Sequence, residues 1–142
     1  MVCHERLLDR LERRFGITGN ALAWLRSYLS DRYQCVDMTN EVSPSVLLNL
    51  GVPQGSVLSP LLFSAYTTPL ADIAKHHKLQ NHTYADDTQL CVSFKPGPKG
   101  NMNDVVQRIE KCFVSIKSWM IQNSLKLNDD NTELIVTVWD NP

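Results

Sequence analysis

Between Asp104 and Gln122, apolar residues stand at Val105, Val106, Ile109, Phe113, Ile116, Trp119 and Met120, the three-and-four spacing of one helical face. A stripe of that length must be covered by other chain, so it dictates a packed tertiary structure. What precedes it supplies two kinds of cover. "HERLLDRLERRFG" (4–16) puts Leu7, Leu8, Leu11 and Phe15 on one helical face and closes on Gly16 as a C-cap. "GNALAWLRSYLSDR" (19–32) repeats the design, with Asn20 as N-cap and Leu22, Trp24, Leu25, Tyr28 and Leu29 apolar, and Trp24 and Trp119 are expected in the core.

Strand-favouring sequence follows. "YQCVDMTNEVSPSVLLNLG" (33–51) reads as two strands around a turn at Ser43-Pro44. "LLFSAYTTPLADIAKHHK" (61–78) is a helical run introduced by Ser59 as cap and Pro60 in the first turn. Pro69 should split it, with Thr68 capping the second piece. "LQNHTYADDTQLCVSF" (79–94) reads as a hairpin with its tip at or near Asp86-Asp87, residues 95–103 as a loop, and "TELIVTVW" (132–139) as a closing strand. The order of elements predicts an α+β fold of antiparallel sheet backed by helices, in a single domain over 1–142.

Composition narrows the class. At 142 residues, with 43% hydrophobic and 20% charged residues of both signs interspersed, the chain is of the soluble globular kind. Its net charge of −1 argues against a dedicated nucleic-acid-binding module and leaves phosphate contacts to local patches such as Arg6, Arg10, Arg13 and Arg14. Cys3, Cys35, Cys91 and Cys112 have neither disulfide-framework nor zinc-knuckle spacing, so reduced thiols in the cytoplasm or nucleus are expected. No run reaches the roughly 18 to 20 apolar residues of a membrane span. The Asn81-His82-Thr83 sequon, without a secretory signal, is expected to stay unmodified. His76, His77 and His82 with Cys91 lack zinc-type spacing, and no GxSxG elbow is present.

The chemistry lies in "YADD" (84–87). Adjacent carboxylates repel, and a hard divalent cation with oxygen preference would remove the repulsion, although aspartates are also ordinary residues of solvated turns. In "GVPQGS" (51–56), Gly51 and Gly55 permit backbone that a side chain would block, and Pro53 stiffens the loop between them. Together, "GVPQGSVLSPLLF" (51–63) and "YADD" resemble, in order and spacing, the reverse transcriptases of non-LTR, LINE-type retrotransposons. The stretch from His4 to Val36 and "SWMIQNSLKLNDDNTELIV" (118–136) resemble further segments of that family, so the likeness covers nearly the whole chain.

The resemblance implies a polymerase palm, with an antiparallel sheet carrying helices on one face and the fingers and thumb absent. It implies RNA-templated DNA synthesis by nucleotidyl transfer from dNTPs to a primer 3′-hydroxyl, by a two-metal mechanism using Mg²⁺ or Mn²⁺. Asp86 and Asp87 become the metal-binding catalytic acids. Gly51, Pro53, Gln54, Gly55 and Ser56 line the dNTP and template pocket, and Tyr84 and Ala85 lie at the approach to the primer end. RNA template, DNA primer and dNTPs are the implied partners, in an intracellular, soluble setting.

The sequence departs from the family pattern in two places. The aspartate of the first catalytic motif, a few residues before His4, would fall before Met1. The lysine that precedes Thr-Glu in the closing motif, a proton donor in the family, is replaced by Asn131, whose amide cannot be a general acid. The resemblance therefore carries two expectations: a family polymerase fragment inactive by itself, or a decayed retroelement product with at most weak nucleic-acid or protein binding.

Overall fold

The computed structural model describes residues 1–39, 41–53, 55–94, 102–128, 132, 133 and 135. The closing strand expected over 132–139 and Asn131 lie largely or wholly outside these residues, as does most of the 95–103 loop. Five helices and three two-stranded antiparallel ladders are formed among the described residues. The mixture is α+β in class. No helix among them is long and apolar enough to cross a membrane.

Helix α1 (His4–Phe15) buries Leu7, Leu8 and Leu11 and ends at Gly16, whose left-handed backbone returns its N–H to the Glu12 carbonyl at 3.0 Å. Phe15 departs from expectation. It is 46% exposed, because α1 is covered by α2 (Gly19–Leu29) and α3 (Ser59–Thr67) on the side of the three leucines only. In α2, Thr18 rather than Asn20 is the N-cap residue, and Asn20 falls inside the first turn. Trp24 is likewise not in the core: it is 57% exposed, since periodicity fixes which residues share a face but not whether anything packs on it.

The expected turn at Ser43-Pro44 is displaced. Strand β1 (Tyr33–Gln34) pairs with β4 (Val46–Leu47), and inside them β2 (Asp37–Met38) pairs with β3 (Glu41–Val42), so the chain reverses between Met38 and Glu41. Ser43 instead serves the ladder from its side chain, its hydroxyl accepting the Val36 N–H at 2.8 Å. Pro44 lies between β3 and β4, where no ladder hydrogen bond from its nitrogen is needed.

Helix α3 begins at Ser59 with Leu58 as its N-cap, so Ser59 is the first helical residue and not the cap, with Pro60 in the first turn. Pro69 splits the run as its missing N–H requires. Helix α4 (Pro69–His76) starts afresh with Thr68 at its N-cap, whose hydroxyl donates back to the Ala65 carbonyl at 2.9 Å. Helix α5 (Met102–Gln122) buries Val105, Cys112 and Ile116.

Two apolar clusters result. Val2, Leu7, Leu8, Leu11, Leu29, Leu62 and Tyr66 form the first, under α1 to α3. Leu70, Ala74, Leu79, Cys112 and Ile116 form the second, between α4, α5 and the hairpin that lies between them in sequence, with Trp119 packed on its side. Each fully buried leucine contributes roughly 1.5–3 kcal/mol over leaving it in water.

Arg10 fastens the clusters together. Its guanidinium donates to the Tyr66 carbonyl and, at 3.2 Å, to Asn123 Oδ1, and lies 4.8 Å over the Tyr66 ring and 5.4 Å over that of Trp119. Burial lowers its pKa from the usual value, partly opposed by Tyr66. The end of α5 completes the junction: Ser124 takes φ 57° and the Leu125 N–H reaches back to the Met120 carbonyl at 2.8 Å, with Met120 on the second cluster and Leu125 on the first.

Candidate active site

The acidic pair sits at the end of a hairpin. Strand β5 (Gln80–Tyr84) pairs with β6 (Asp87–Cys91) in the register Thr83 with Thr88 and Tyr84 with Asp87, leaving Ala85 and Asp86 as a two-residue turn. Two-residue hairpins need left-handed backbone in the turn. Here a non-glycine residue supplies it, Ala85 at φ 53°. Such a residue carries local strain, and strain of this kind is tolerated where the rest of the structure holds the turn in place.

Asp86 and Asp87 are both exposed, and the neighbouring Tyr84 ring is 85% exposed. The hairpin rests on the second cluster through Leu79 at its base and Leu90. Its far end is therefore carried out into solvent. Among the described residues, no group of three or more His, Cys, Asp or Glu side chains gathers around this pair or elsewhere. The two carboxylates are hard oxygen donors suited to a divalent cation, and they make up part of a coordination sphere.

The glycine loop belongs to the first cluster. At its start, Cys3 pairs with Leu50, the Gly51 N–H donates to the Val2 carbonyl at 2.6 Å, and His4 Nε2 lies 2.7 Å from the Gly51 carbonyl oxygen. Gly51 at φ 94° and Gly55 at φ 76° both hold backbone that a side chain would strain. At its end, Tyr28 Oη donates to Ser56 Oγ at 2.6 Å, and Ser56 Oγ lies 2.8 Å from Ser59 Oγ, which donates to the Pro53 carbonyl. This polar chain ties α2, the loop and the start of α3 together. Gln54 lies outside the described residues.

Among the described residues, no hydrogen bond or ion pair joins this loop to the hairpin. The structure thus brings Gly51, Pro53, Gly55 and Ser56 together on one support, and Tyr84, Ala85, Asp86 and Asp87 on another. The anchors His4 and Tyr28 were not singled out as site residues from the sequence. Their partners lie 47 and 28 residues away, and only the histidine's place next to a leucine-rich helix hinted at a role.

Residues 2–139 match the sequence profile of the family described as reverse transcriptase (RNA-dependent DNA polymerase), and the chain belongs to that family. Among curated proteins it is similar to two from Drosophila melanogaster. It shares 31% identity over 136 residues with "Probable RNA-directed DNA polymerase from transposon BS", covering 92% of this chain and 14% of that protein. With "Probable RNA-directed DNA polymerase from transposon X-element" it shares 34% over 109 residues, covering 74% of this chain and 12% of that protein. The chain thus spans about one seventh or less of the curated relatives it matches. No solved structure matches it significantly.

Proposed function

We propose that the chain is palm sequence of a non-LTR, LINE-type reverse transcriptase, and that Asp86 and Asp87 are its metal-holding catalytic acids. The observation that carries this reading is the β5–β6 hairpin, which sets one acid in a two-residue turn and the other on the adjoining rung, both open to solvent. In this reading the three separate two-stranded ladders are parts of the palm's antiparallel-sheet layer, with the helices on one face, and the reaction joins a dNTP to a primer 3′-hydroxyl along an RNA template.

Asp86 and Asp87 would hold Mg²⁺ or Mn²⁺, which when bound offsets phosphate charge and stabilises the attacking and leaving oxygens. The chain's own residues do the rest of the positioning. The loop of Gly51, Pro53, Gln54, Gly55 and Ser56 forms the dNTP and template side of the site, with the glycines leaving backbone bare for close approach. Tyr84 offers an exposed ring beside the acids for the primer end. Because two carboxylates are only part of the donor set, the chain by itself is expected to hold the ion weakly and to extend no primer.

Manganese titration followed by amide NMR tests the pair without relying on turnover. Signals of Ala85 to Thr88 should broaden at lower Mn²⁺ than those of other acidic positions, and Asp86→Asn with Asp87→Asn should abolish the preference. Broadening centred elsewhere, or unchanged in the double variant, would refute the assignment.

A further inference from the structure

We infer that the outer face of α2 is a stacking site for single-stranded nucleic acid, with the Trp24 ring receiving a base. Three flat groups stand in series at four-residue intervals. The Trp24 and Tyr28 rings stack with centroids 5.7 Å apart and planes 18° from parallel, and the Arg32 guanidinium lies 4.9 Å over the Tyr28 ring. Arg32 is held there by its Nε, which donates to the Tyr28 carbonyl at 2.8 Å. Among the described residues its guanidinium forms no ion pair.

An aromatic pair four residues apart can do no more than stabilise its helix. Three features go beyond that. Trp24 remains 57% exposed while one side of its ring is held against Tyr28, so the order is present without burial. The column ends in a cation, the combination that binds bases by stacking and the backbone by charge. Finally, Tyr28 gives its hydroxyl hydrogen to Ser56, so the column runs into the loop that the polymerase reading assigns to the template; the inference rests on that reading.

A protein partner fits this face less well. Its docking would ask for a broad apolar patch, whereas the helical neighbours of Trp24 at three and four positions include the exposed Asn20 and Ser27. A strand of bases needs only the narrow column.

Fluorescence anisotropy of labelled oligouridylate and oligothymidylate with the full chain at low salt tests the site. Trp24→Ala should weaken binding about ten-fold or more, the worth of one base–aromatic stack, and Trp24→Phe should restore most of it. Arg32→Ala should also lower the salt dependence by about one released counterion. The tighter of the two oligonucleotides then identifies the strand as RNA or DNA. Equal affinity for the parent chain and Trp24→Ala, or binding by neither, overturns the inference. So does a Trp24-dependent self-association in place of oligonucleotide binding. Manganese broadening at the acidic pair reads the polymerase assignment separately, so its persistence alongside any of these negative results removes the stacking site alone.

Discussion

The Tyr66 hydroxyl donates a 2.8 Å hydrogen bond to the Asn123 carbonyl, joining the fully buried ring of α3 to the residue just beyond α5. The same oxygen accepts the Cys3 N–H at 3.4 Å, so one phenol serves the start of α1 and the end of the longest helix. Tyr66→Phe keeps the ring but strands a buried carbonyl, at a cost of about 1–3 kcal/mol. Urea unfolding should show the loss as a lower midpoint with unchanged slope. An unaltered midpoint would mean that this bond contributes nothing to the junction.

Arg14 and Asp72 pair across α1 and α4 through two hydrogen bonds, at 2.5 and 3.2 Å. The bond from Arg14 holds the Asp72 carboxyl below its ordinary pKa, and the Asp72 carboxylate in turn raises that of Arg14. A depressed carboxyl stabilises the fold above its unfolded pKa, and that contribution fades as pH falls from the ordinary carboxylate range through the lower folded value. Both side chains are substantially exposed, so the pair is worth under about 1 kcal/mol. The stability gap between the parent chain and Asp72→Asn should be full near neutrality, close in acid and shrink with salt. A gap that survives acid would have another origin.

Ala85→Gly should stabilise the hairpin by about 0.5–1 kcal/mol, because glycine takes the left-handed backbone without the penalty alanine bears. Slower hydrogen exchange at the Tyr84 and Asp87 amides, the hydrogen-bonded pair that closes the turn, would register it. Faster exchange would contradict a left-handed Ala85.

Of the four cysteines, Cys112 alone is buried, and burial raises its thiol pKa. A thiol reagent applied to the native chain should therefore modify Cys35 and Cys91 readily and Cys3 more slowly, and reach Cys112 only on unfolding. Rapid native labelling of Cys112 would show that the second cluster opens easily.

Sequence carried the helices well where an apolar stripe met a stop signal. The leucines of α1 with Gly16, and Pro69 between α3 and α4, are such cases. It misjudged Phe15 and Trp24 because exposure depends on which neighbours arrive, a non-local fact. Ser43-Pro44 attracted the turn by composition, yet pairing of Asp37 with Val42 set the reversal earlier. The "YADD" hairpin was legible because strand-favouring residues flank it. The Tyr28–Ser56 and His4–Gly51 ties were not, since each is made only when distant segments meet.

The two-residue turn gives neighbouring aspartates unequal footing. Asp86 belongs to the turn and has no cross-strand rung, whereas Asp87 is braced by its rung with Tyr84. Replacing either side chain alters charge alone, because the rung is made of main-chain groups. Lengthening the apex by a single residue on the Asp87 side would turn that acid to the opposite face of the ribbon. Apex length, as much as acidity, is therefore the quantity this segment has to preserve.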